Sequence, residues 1–69
     1  MSPSQETARR LASDELAARG RLAGWPESSL THDGERWVAR LSNGQSGIEA
    51  PSVGMVSAVE TALLIARAT

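Results

Sequence analysis

The sequence predicts an α+β fold of two layers, in the order αβββα: a three-stranded antiparallel meander with both helices on one face. Three observations predict it. Asp33-Gly34 and Asn43-Gly44 stand ten residues apart, and each is a preferred occupant of a two-residue type I′ turn, where both central residues take φ > 0. The stretches around these turns alternate apolar and polar residues, the period of a half-buried strand. On either side of them, apolar residues recur at helical spacing instead.

The first helix is signalled by Ser2-Pro3-Ser4-Gln5, with Ser2 as N-cap, Pro3 at the tolerated first position and Gln5 completing a capping box. Ala8, Leu11, Ala12 and Leu16 then fall on one face. Continued to Ala23, the helix would bring Glu15 and Arg19 into its apolar arc. The predicted end is therefore near Arg19, with Gly20 as the C′ residue. Trp25 follows in a connector closed by Pro26, where it plugs the end of the core.

Pairing outward from Asp33-Gly34 sets Leu30 opposite Trp37; pairing outward from Asn43-Gly44 sets Leu41 opposite Ser46 and Trp37 opposite Ala50. One sheet face then collects Leu30, Trp37, Ala39, Leu41, Ile48 and Ala50. The other collects Thr31, Arg36, Val38, Arg40, Gly47 and Glu49. A one-residue slip would destroy this segregation. Trp37 is expected to be buried where sheet meets helix. Pro51 ends the third strand, and Ser52 (with Ser57 as a rival start) caps a second helix running to about Ala68. Both helices adjoin a sheet with one apolar face, so both are placed on the Leu30/Trp37/Ile48 side.

Sixty-nine residues make one domain, 1–69, and a single core of this size rarely supplies more than ~3–5 kcal/mol. With no Cys, neither a disulfide nor a thiolate metal site staples it. The net charge of −1 argues against bulk nucleic acid or an anionic membrane as partner. Met1–Gln5 lacks the features of a signal peptide, and no apolar run is long enough to cross a bilayer. The expected localisation is cytoplasmic. All seven basic residues are Arg, a side chain suited to interfaces, although a GC-rich genome produces the same bias.

Catalytic chemistry finds little support. His32, the single histidine, is flanked by Asp33 and faces Glu35, yet it sits at a hairpin tip and reads as a surface residue. The same three side chains read as a solvated turn rather than a metal site, and no phosphate-binding loop is present. No catalytic residue, cofactor or metal is therefore assigned.

Two surfaces remain. On the outer sheet face Arg36, Val38, Arg40 and Glu49 form a candidate partner-binding platform, with Glu49 opposite Val38; the plain alternative is a solvated face where Glu49 offsets an Arg. On the second helix Met55, Ala58, Ala62, Leu64 and Ile65 extend the apolar surface beyond the arc one small sheet can cover. They are the candidate interface of a homodimer.

The αβββα order, the length and the two helices on one face resemble the double-stranded RNA-binding domain over nearly the whole chain. That family binds phosphate through a Lys cluster at the start of its second helix. The matching stretch here, Ser52-Val53-Gly54-Met55-Val56-Ser57, carries no basic residue. From Trp37 onward, Trp37-Val38-Ala39-Arg40-Leu41, Ala50-Pro51-Ser52 and Ala58 to Ala66 resemble small phage- and prophage-encoded domains and HicB-like antitoxins. This second resemblance implies a small regulator or inhibitor that occupies another protein. The expected function is thus that of a non-enzymatic, homodimeric protein-interaction module from a mobile element. An RNA-binding module and a structural subunit of a larger assembly are the alternatives.

Overall fold

A computed structural model describes residues 5–69. The elements run α1 (Gln5–Leu22), β1 (Glu27–His32), β2 (Trp37–Ser42), β3 (Gly47–Ser52) and α2 (Met55–Ala68). The strands form one antiparallel sheet in the order β1-β2-β3. Helix α1 packs on β1, α2 packs on β2 and β3, and the helices touch each other. One core joins Ala12 and Leu16 of α1, Leu30, Ala39, Leu41, Ile48 and Ala50 of the sheet, and Ala58, Val59, Ala62, Leu63 and Ala66 of α2. The predicted two-layer α+β architecture is the observed one. The Ser2 and Pro3 capping signals lie outside the described residues.

The register differs from the predicted one by two residues at each hairpin. Leu30 pairs with Ala39, Thr31 with Val38 and His32 with Trp37; Leu41 pairs with Ile48 and Arg40 with Glu49. The cause is the turn chemistry. Asp33 N–H donates to the Arg36 carbonyl at 3.0 Å and Asn43 N–H to that of Ser46 at 3.2 Å, so Gly34-Glu35 and Gly44-Gln45 are the central pairs. In each turn φ is positive only at the glycine (101° at Gly34, 90° at Gly44), which excludes type I′ geometry. Asp33 and Asn43 stand one position earlier and work through their side chains. Asp33 Oδ1 accepts from the Glu35 and Arg36 amides at 3.2 and 2.9 Å; Asn43 Oδ1 accepts from those of Gln45 and Ser46 at 2.9 and 2.8 Å. A two-residue shift keeps every side chain within the strands on its predicted face.

These amides, that of Arg36 foremost, hold the Asp33 carboxyl below its ordinary range. A depressed value in the folded chain means that the ionised form favours folding. Its contribution is complete above the unfolded aspartate value and is lost as pH falls through the folded one. Asp33 is expected to titrate by NMR below a peptide aspartate, and Asp33→Asn to flatten the acid-side stability profile while keeping the turn. Titration at the peptide value would contradict the turn geometry.

Helix α1 does not stop at Arg19. It runs to Leu22 and closes with a Schellman motif: Trp25 N–H donates to the Gly20 carbonyl at 2.8 Å and Gly24 N–H to that of Arg21 at 3.0 Å. Gly24 supplies the left-handed residue, with φ of 95°. Gly20 serves another purpose. It is buried inside the helix, and a Cβ there would lie 2.6 Å from Leu41 Cδ2 and 3.3 Å from the Trp25 carbonyl oxygen. Helix meets sheet closely because this position carries no side chain. The Glu15 and Arg19 side chains that argued for an earlier end pair with each other at 3.2 Å.

Two further boundaries differ. Pro51 lies within β3, opposite Val38, which an edge strand tolerates. Ser52 is the last strand residue rather than a helix cap, and α2 starts at Met55 with Gly54 at its N-cap. Trp25 is buried as expected, whereas Trp37 is only partly buried. It opens β2 opposite His32 and Ser52, its ring 4.8 Å from that of His32.

Candidate functional site

The sheet face away from the helices carries three cross-strand rows: Glu27-Ser42-Gly47, Ser29-Arg40-Glu49 and Thr31-Val38-Pro51. Of the four predicted platform residues, Arg40 and Glu49 are directly opposed and committed to each other. Glu49 Oε2 accepts from Arg40 Nε at 2.8 Å and lies 2.7 Å from Nη2. Glu49 therefore faces Arg40, not Val38. Val38, flanked by Thr31 and Pro51, is 7% exposed and stays outside the main core cluster. Arg36 lies beyond the strand, in the first turn. The solvated-face alternative accounts for the Arg40–Glu49 pair.

The predicted interface residues of α2 separate in space. Ala58 and Ala62 are fully buried in the chain's own core, and Met55 is half-buried against it. Ala58 and Ala62 are therefore closed to a second copy, because the sheet already occupies that side of the helix. Leu64 and Ile65 remain exposed, at 61% and 40%. Successive helix positions differ by about 100°, so these two residues point to different sides of α2.

Leu64 faces a feature that sequence reasoning missed. An open groove of about 660 Å³ runs between the helices, with Ala12, Val59 and Leu63 among its lining and Val56 and Leu64 along its α2 wall. Glu15 and Arg19 line the α1 side; Glu60 and Arg67 line the α2 side. Glu15 and Arg19 satisfy each other. Among the described residues, Glu60 and Arg67 take part in none of the ion pairs of the chain. The available signal was the Glu15/Arg19 pair inside an apolar arc, which marked the wall of a groove rather than the end of a helix.

At the first hairpin, two of the three potential cation ligands are otherwise engaged. Asp33 caps backbone amides, and His32 Nδ1 accepts a long hydrogen bond from Gly34 N–H at 3.4 Å. Among the described residues no group of three or more His, Asp or Glu gathers to hold a metal, and no helix is long and apolar enough to cross a membrane. The chain matches no protein-family model, no curated protein and no solved structure.

Proposed function

We propose that this chain is a small protein-interaction module, working in the cytoplasm as a regulator or inhibitor, and that the surface by which it binds protein is its helical layer. The observation that carries this reading is the inter-helix groove, where Val56 and Leu64 stay 59% and 61% exposed beside the unpaired charges of Glu60 and Arg67. An apolar floor with a charged rim suits an amphipathic segment, the recurrent helix-in-groove mode of recognition. The outer sheet face is the weaker candidate, because Arg40 is already neutralised and Val38 already covered.

The element order favours a second reading, an RNA-binding module. Against it, exposed apolar Val53 and Val56 flank the start of α2, where phosphate contacts would demand cations. One experiment separates the readings. A photoreactive p-benzoylphenylalanine is placed at Thr61 on the groove, or at Thr31 on the sheet face, and irradiated in native lysate with and without nuclease. Discrete protein adducts from Thr61 alone, unchanged by nuclease, are expected. Adducts from Thr31 alone would move the site to the sheet, and nuclease-sensitive adducts would favour the RNA reading.

A further inference from the structure

Resting on the groove reading, we infer that the partner which the α2 wall fits is a second copy of this chain, docked antiparallel about Leu64. Val56, Glu60, Leu64 and Arg67 lie within an arc of about 80° on α2, given about 100° per residue. All four line the groove. The order along this stripe is apolar, acidic, apolar, basic. Glu60 and Arg67 are separated by about 10.5 Å along the axis at 1.5 Å per residue, and the midpoint between them falls beside Leu64.

A two-fold axis through that midpoint sets Glu60 of one copy against Arg67 of the other, twice, with Leu64 packed on Leu64. The stripe is self-complementary in charge, which is what an isologous interface requires. The α1 wall does not compete, because Glu15 and Arg19 already neutralise each other. Parallel docking would oppose like charges at both ends, so the stripe specifies orientation as well as contact. A standard interface buries about 800 Å² per partner, roughly one-sixth of the 4794 Å² surface of this chain. The dimer seam differs from the one expected from the sequence: it excludes Ala58 and Ala62, which are buried, and Met55 and Ile65, which do not line the groove.

Sedimentation equilibrium of the purified full chain at ~100 µM, well above a micromolar dissociation constant, tests this at low and physiological salt. The wild type is expected to be a dimer that weakens as salt rises. Glu60→Arg alone and Arg67→Glu alone should each weaken it by at least about tenfold, since both symmetry-related pairs become repulsive. The double reversal should restore the dimer to within about threefold. Leu64→Asp should give a monomer, with circular dichroism confirming the fold, because Leu64 is exposed in the single chain.

A monomeric wild type, or a double reversal no tighter than the single ones, overturns the second-copy inference. Two failures are then told apart by the Thr61 cross-linker. Capture of a foreign protein by a monomeric chain leaves the groove reading standing without the dimer. Capture of nothing removes both.

Discussion

Trp25→Ala is expected to unfold the domain at room temperature, whereas Trp37→Ala is expected to leave it folded and less stable. Trp25 is 6% exposed and belongs to the central core cluster. It also follows the left-handed Gly24, where its own amide closes α1 on the Gly20 carbonyl. Truncating a buried aromatic of this size costs about 3–5 kcal/mol, and a core this small supplies about the same in total. Trp37 sits at the start of β2, partly buried and tilted against His32. Its removal should cost about 1–2 kcal/mol, the loss of a half-buried ring and one aromatic contact. Thermal melts followed by far-UV circular dichroism decide between them. Equal losses at the two positions, or a cooperative near-native melt of Trp25→Ala, would contradict this placement.

The contrast between the two tryptophans marks where sequence reasoning succeeds and where it fails. Which face a strand residue occupies depends only on parity, so Leu30, Ala39, Leu41, Ile48 and Ala50 were legible as core. Which residue lies across from it depends on where the turn is centred. Asp-Gly and Asn-Gly suit the central pair of a type I′ turn, yet here Asp33 and Asn43 act as side-chain acceptors one position earlier. The dipeptide alone does not distinguish these uses. The consequence is local but functional: Glu49 meets Arg40 instead of Val38, and Trp37 moves from the junction to the end of the sheet.

Glycine and alanine were ambiguous for a related reason. Gly20 and Gly24 are four residues apart near the end of one helix, and either could serve as its left-handed terminator. Only the approach of Leu41 assigns Gly20 to packing and leaves Gly24 for the cap. Ala58 and Ala62 suit any close contact, and the sheet of the same chain supplies it. The groove was hidden because its walls come from α1 and α2, which are separated in sequence by the whole sheet. Its charged lining reads along each helix as ordinary solvated polarity. What the sequence did reveal is that α2 is apolar beyond the arc one sheet covers, and Val56, Leu64 and Ile65 are where that surplus lies.

Leu41→Ala is expected to cost about 2–5 kcal/mol and to leave most of the chain unfolded in water. Leu41 is one of the two largest fully buried side chains, in the central strand, and its Cδ2 fills the space over Gly20. The closeness of that contact makes the two positions energetically coupled. Gly20→Ala in the wild type gains about 1 kcal/mol of helix propensity but forces a methyl into Leu41, an overpacking cost of about 1–3 kcal/mol. The milder Leu41→Val removes the obstructing Cδ2 at a cost of about 1 kcal/mol, small enough for the domain to remain measurable. In that background Gly20→Ala should become neutral or stabilising, giving a favourable coupling of about 1–2 kcal/mol in a denaturant double-mutant cycle. Losses that simply add, within about 0.5 kcal/mol, would mean that α1 is free to move away from the sheet and that Gly20 does not set their separation.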